Sequence, residues 1–344
     1  MLRIGDILSG LLQWAPASLA WDRDNIGLLL GSAEAEVRRV LVCLDVTPDV
    51  AKEAAERDVQ CIVAHHPIIF HPLKSIRTDS TSGALIADLL RDEISVIAMH
   101  TNADATHGGL NSALGAALLL ENMRALDPAR GQRRQVLFRV SEGEDPTESC
   151  THVLKADENR TCALRRLEDG QWEIDVETTV WDASGLKSTM QHALGSRLVA
   201  MHTIALEDKL QNHGIGAVGR LAEAMTAEDF TAFVKKQLDC PIIRTTPFLS
   251  EARISTVAVS SGAGSSYVEA AVRAGADALV TGDLTHHTFL DYQHDILLVD
   301  AGHYGTEKLF IRLCSEVLST MPFQDTQKID ILTARTDTNP IRFV

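Results

Sequence analysis

Four short apolar runs in this chain stop abruptly on polar, mostly ionisable residues: CIVAHHP (61–67), VIAMHTNAD (96–104), ALVTGDLTHH (278–287) and LLVDAGH (297–303). None of them alternates apolar with polar, which is the pattern of a strand covered on both faces. RRVLVCLDVT (38–47) is a further strand of this kind, and Pro48 opens a helix through PDVAKEAAERD, a position that suits proline because the first helical N–H has no partner to lose. TSGALIADLLRDE is predicted as a helix, ISVIAMHTNAD (94–104) as a strand, and NSALGAALLL, after the break at Gly108 and Gly109, as another helix. Strand, helix, strand, helix at this spacing predicts a mostly parallel sheet with right-handed crossovers.

The texture changes near Asp127. DPARGQRRQ and SEGEDPTES are polar and turn-like, TCALRRLEDGQWEIDVETTVW is hairpin-like, SGLKSTMQHALG is helical and LVAMHTIALED is a strand. The α/β rhythm returns with GAVGRL and then TAEDFTAFVKKQL, where Thr226 and Asp229 form a Thr-x-x-Asp helix start. The expected fold is therefore α/β: two similar halves with mostly parallel sheets forming one body from 1–127 and 211–344, with a small α+β domain inserted at 128–210.

Composition narrows the class. The chain has 344 residues, 45% hydrophobic and 23% charged, enough apolar material for a sizeable core. Its formal net charge is -15, from 32 Lys and Arg against 47 Asp and Glu. A field of that sign opposes nucleic-acid coating and anionic membrane surfaces. The N-terminal stretch does not read as a signal peptide and no run is long enough to span a bilayer. The six cysteines are scattered without a C-x-x-C pair, and Cys43 and Cys61 lie in apolar strands as buried thiols. A reducing cytoplasm is the expected location.

In open α/β sheets ligands gather beyond the carboxyl ends of the strands. Those ends carry His65, His66, His100, Asp104, Asp283, His286, His287 and His303. His303 and Glu307 are one helical turn apart and face the same way, a spacing that can chelate a metal, the alternative being a surface His–Glu contact. Adjacent His65 and His66, at a strand end that turns at Pro67, can diverge to two different metals. A bridging carboxylate is then required, with Asp104 and Glu307 as candidates. Imidazole and carboxylate without thiolate suit Zn, Mn, Fe, Co or Ni, here as two divalent ions per chain.

With these motifs in hand, the sequence resembles the dinuclear metal-centre hexameric protein family, the GTP cyclohydrolase 1 type 2 homologues. The resemblance rests on DNIGLLLG (24–31), AHHPIIFHPLKSI (64–76), HTNAD with its following GGLN, GAVGRL, GDLTHH and DAGHYGTE (300–307). It departs at Arg23-Asp24-Asn25, where the family pattern has Trp-Asp-Asn; Trp21 stands two places earlier. The resemblance implies His65, His66, Asp104, His303 and Glu307 as metal ligands, with His100 in the same motif, and it implies a homohexamer. It also implies hydrolytic opening of the GTP imidazole ring with release of formate, water attacking C8 of guanine while His287 or His286 moves protons. Another metal-dependent hydrolase, such as a phosphoesterase, and a non-enzymatic metal-binding scaffold are the alternatives. For a small-molecule nucleotide substrate, SSGAGSS (260–266) is a candidate anion site through Ser261, Gly262, Gly264 and Ser265, since a strand-to-helix junction exposes amides. Lys74 and Arg77 are candidate phosphate contacts.

Overall fold

The apolar runs become short, buried parallel strands in a computed structural model that describes residues 1–154, 160–247, 252–325 and 327–344. Arg39–Cys43, Cys61–Ala64 and Ser95–Ala98 lie side by side in parallel, Val40 opposite Cys61 and Cys61 opposite Ser95. Asp330–Thr333 adds a parallel strand beside Arg39–Cys43, and Gly27–Leu30 closes the other edge antiparallel. Val40, Val42, Val63 and Ile97 pack with Ile4, Ile7 and Phe310. Their neighbours Leu41, Cys43, Ile62 and Val96 pack with Val50, Ile86 and Leu89 on the opposite face. Alternate residues thus enter two separate cores, which is why the runs cannot alternate in polarity. Each such side chain contributes about 1.5–3 kcal/mol by leaving water.

A second sheet repeats the plan. Arg253–Ala263, Ala278–Gly282 and Leu297–Asp300 are parallel neighbours. Arg244–Thr245 flanks the last of them antiparallel, as Gly27–Leu30 flanks Ser95–Ala98. In both sheets the order is therefore antiparallel edge, third, second, first strand, the edge strand preceding the others in the chain. The expected α/β class and its two similar halves are found. Lys209–Thr226 and Glu121–Arg130 extend the second sheet on its far side.

The helices start where the caps predict. The Thr47 hydroxyl accepts from the Val50 amide ahead of Pro48–Glu56. Thr226 does the same for Asp229 at Ala227–Gln237. Four expectations need correction. DPARGQRRQ, expected as turn-like, supplies the end of strand Glu121–Arg130 and the start of strand Arg133–Val140, and the end of SEGEDPTES opens helix Thr147–Leu154. The run 94–104 is strand only over Ser95–Ala98; Thr101–Ala105 is a one-turn helix, because the chain turns at His100 (φ -106°, ψ -112°). SSGAGSS does not open a helix directly: the strand continues to Ala263, a 3-10 turn covers Ser265–Tyr267, and the helix starts at Val268.

The chain divides into two compact units, Met1–Pro128 with Gln211–Val344, and Ala129–Leu210. The smaller unit holds an antiparallel sheet in which Arg133–Val140 pairs with Trp172–Thr179 and Leu198–Leu206, and Thr161–Arg166 pairs with Trp172–Thr179. Val136, Phe138, Ile174 and Val176 form its core with Leu186 and Met190 of helix Val180–Leu194. No described helix is long and apolar enough to cross a membrane.

Candidate metal centre

Within the larger unit, the carboxyl ends of parallel strands from both sheets bring their ionisable residues together. His65 and His66 follow Cys61–Ala64 directly and continue its ladder, their amides donating to Cys43 and Leu44 carbonyls. The one-turn helix after Ser95–Ala98 turns Asp104 inward, its amide bonded to the His100 carbonyl. From the second sheet, Gly302 adopts φ +79° at the start of helix His303–Glu307, which presents both of its terminal side chains to the cluster.

Each of the four imidazoles is held from behind through Nδ1. His65 Nδ1 lies 2.9 Å from the Met99 carbonyl, His66 Nδ1 2.7 Å from Asp45, His100 Nδ1 2.8 Å from Asp24 and His303 Nδ1 2.7 Å from Asp283. A carbonyl or a carboxylate can only accept, so Nδ1 donates in every case and each Nε2 is left to face its surroundings. This is the arrangement by which carboxylate and carbonyl partners fix metal-binding histidines.

The Nε2 atoms of His65, His66 and His303 converge on Glu307. Its Oε2 is 3.0 Å from His66 Nε2 and 3.0 Å from His303 Nε2, and those two nitrogens are 3.4 Å apart. Its Oε1 is 3.7 Å from His65 Nε2, which is also 3.8 Å from Asp104 Oδ1. His65 Nε2 and Glu307 Oε2 are buried without a hydrogen-bond partner. Lone pairs facing lone pairs in a buried site call for a cation between them, either a proton or a metal ion. Bonds of about 2.0–2.2 Å to nitrogen and oxygen place the donors of one tetrahedral ion about 3.3–3.6 Å apart, close to the spacings found here. The residues fit a metal: His66, His303 and Glu307 form one group able to hold an ion, and His65, His66 and His100 form another.

Without metal, protons take the cation's place. Burial pushes His66 down, but its bond to Asp45 and the Glu307 carboxylate beside it outweigh this and hold it up at about 10. His303 is raised to about 9, first by the Glu307 carboxylate 3.0 Å away and against the effect of burial. Glu307 is driven well below the ordinary range, its burial overcome by the histidines around it, whereas burial raises Asp104. A histidine near 6.5 when unfolded and higher when folded stabilises the fold fully below that value and loses its contribution as pH climbs through the folded value. Metal competes for the same nitrogens and gains in the same window. Chelator-treated protein will therefore lose thermal stability from pH 6.5 toward 9, and the gap to metal-loaded protein will widen, in scans at half-unit steps. A constant gap across that range refutes the shared use of these nitrogens.

The other candidates fare differently. His286 and His287 sit exposed in the first turn of helix His286–Tyr292, their rings packed on each other at 5.6 Å. The contact from this segment to the cluster is made by Asp283, on a left-handed backbone (φ +56°). The amides of Ser261, Gly262 and Gly264 donate to Asn111, Thr306 and Gly282, so they do not form an open anion nest. Ser261 and Gly262 instead wall the centre, with Ser261 Oγ 3.0 Å from Asp104 Oδ1. The Ser265 hydroxyl reaches the Asp283 carbonyl at 3.5 Å. Lys74 lies on an exposed loop, and Arg77 is engaged by Asp79. Asp24 and Asp45 were not singled out for a role by their spacing; their signal is that Asp45, like the histidines, closely follows a parallel strand. Burial would lift Asp24, and the bonds from His100 and Thr101 overcome it, holding the carboxyl at about 2.

Fold and cluster together define an α/β protein with histidine and glutamate groups able to bind metal at the meeting of two sheets. The model of the Duf34/NIF3 (NGG1p interacting factor 3) family matches residues 2–340, and the chain belongs to that family. A Halalkalibacterium halodurans protein named GTP cyclohydrolase 1 type 2 homolog is 33% identical, with 96% of each chain covered. A Bacillus subtilis protein of the same name is 32% identical with the same coverage. The crystal structure of a Bacillus cereus protein related to NIF3 covers 99% of both chains with a TM-score of 0.87 at 29% identity.

Proposed function

We propose that this protein is a dinuclear-metal-dependent hydrolase acting on a nucleotide, with opening of the GTP imidazole ring and release of formate as the reaction. The observation that carries the metal part is the pair of buried, unpartnered atoms, His65 Nε2 and Glu307 Oε2, among imidazoles oriented from behind. Glu307 would be the carboxylate shared by the two ions, with His66 and His303 on its Oε2 side and His65, itself near Asp104, on its Oε1 side. Two divalent ions held there would act as Lewis acids and lower the pKa of a water to near neutrality. Asp45, Asp283 and Asp24 keep the imidazoles in the tautomer that points Nε2 inward. His100, on the rim beside His65 and His66 and backed by the ionised Asp24, is better placed to move a proton than His286 or His287. The substrate part of the reading is supported by the names of the Halalkalibacterium halodurans and Bacillus subtilis relatives. By the same resemblance we expect a homohexamer, and the scattered, mostly buried free cysteines favour a reducing cytoplasm.

Incubation of metal-loaded protein with GTP will release formate, assayed with formate dehydrogenase, and chelation will abolish it. Cleavage of a phosphodiester without formate would replace the cyclohydrolase reading with a phosphoesterase. Full metal loading with neither reaction would leave a metal-binding scaffold.

A further inference from the structure

Two cavities border the metal centre and differ in charge. One, about 550 Å³, lies beside Asp283 and His303 and is also lined by Asp239, Asp300 and Asp337. Its two cations are committed: Arg244 to the buried Asp300 carboxylate and Lys308 to the Asp239 carbonyl. The other, about 230 Å³, lies against Asp104 and is walled by Asn111, Asn212 and the side-chain-free Gly214 and Gly216, with His107 and Arg124. Asp104 is the one acidic residue lining it, and no described carboxylate pairs with Arg124.

Arg124 is exposed and, like Arg130 and Arg220, forms no ion pair with a described carboxylate; what sets it apart is its place on a cavity beside Asp104. Arg124 lines a small cavity whose single carboxylate faces His65 and is a candidate metal ligand. Once a cation neutralises Asp104, the walls present a guanidinium, an imidazole and the Asn212 amide, all able to donate to an anion, while the Asn111 amide is held by the Asp104 carbonyl and the Ser261 amide. The larger cavity, with its four aspartates, repels the same group.

We propose that the Asp104-side cavity is a phosphoryl-binding subsite, with Arg124 as its principal cation and His107 and Asn212 completing the donor set. This rests on the metal-dependent reading above and adds to it a direction: the phosphorylated end of the substrate lies on the Asp104 side of the centre, away from His303. It also moves the anion site from Lys74 and the 260–266 run, whose amides are bonded internally at Ser261, Gly262 and Gly264.

The test is calorimetric titration of inorganic tripolyphosphate into metal-loaded full-length protein, wild type against Arg124→Ala, Arg124→Lys and Lys74→Ala. Arg124→Ala will weaken binding about tenfold or more, the scale of one charge-assisted contact, and Arg124→Lys will recover part of it. Metal content measured on the same samples shows that the centre is intact. Equal binding by wild type and Arg124→Ala overturns the subsite, as does a loss in Lys74→Ala alone. If wild type releases no formate from GTP while Arg124→Ala loses tripolyphosphate, the cyclohydrolase reading falls and the subsite stands. If formate is released and its KM is unmoved by Arg124→Ala, the subsite falls and the reaction stands.

Discussion

Glu307→Ala protein, dialysed against divalent metal and then metal-free buffer, will retain almost no metal. Removing a partner that only orients a ligand costs about 10–100-fold in metal affinity. Glu307 does more: its two oxygens face His66 and His303 on one side and His65 on the other, so its loss opens both halves of the centre at once. At least about a 100-fold loss of affinity is therefore expected, read by elemental analysis. Asp104→Ala provides the contrast, since Asp104 approaches only the His65 half; it will keep metal at His66 and His303. Unchanged metal content in Glu307→Ala would sink the bridging assignment. Equal losses in the two variants would mean that the halves fill cooperatively.

Gly262→Ala will be nearly as damaging although it removes no ligand. A Cβ at this position would fall 2.2 Å from Glu307 Oε1 and 3.3 Å from the His303 ring, and the backbone φ is +61°. The carboxylate cannot retreat far, because it is buried with His65, His66 and His303 around it. The left-handed backbone and the close approach together will cost about 1–3 kcal/mol of stability, and displacing the bridge will weaken metal binding by about tenfold or more. Thermal melting with and without chelator separates the two effects: the variant melts below wild type in both conditions and gains less from metal. A variant that melts and binds metal like wild type would show that this backbone segment moves freely away from Glu307.

These two positions show how legibility divides. Glu307 is readable because His303 and Glu307 are one helical turn apart and follow a buried strand. Gly262 is not. In the sequence it belongs to a run of small residues at a strand end, with the composition of an anion-binding loop. Its amide is in fact taken by Thr306, 44 residues away, and its missing side chain makes room for a carboxylate. Likewise HTNAD follows an apolar strand and reads as its continuation, yet the turn at His100 converts it into a helix that carries Asp104. Local patterns report what a segment can do on its own; they do not report which distant atom has already claimed its hydrogen bonds.

What the sequence by itself determined is the α/β architecture and the strand ends. Continuous apolar runs have to be covered on both faces, and the ionisable residues that interrupt them have to leave the sheet at its carboxyl edge. What only the tertiary structure decided is convergence and orientation. His66 and His303, 237 residues apart, meet at 3.4 Å because two sheets of the same plan bring these edges together. Asp24, Asp45 and Asp283, from separate segments, fix which nitrogen of each ring faces inward. Arg124 was unremarkable as a residue in a strand, and its place beside Asp104 is set by the fold. The physical reason is the same throughout: burial and period are local properties of a chain, while the charge and lone pairs seen by a buried atom come from whatever the fold places within a few ångströms of it.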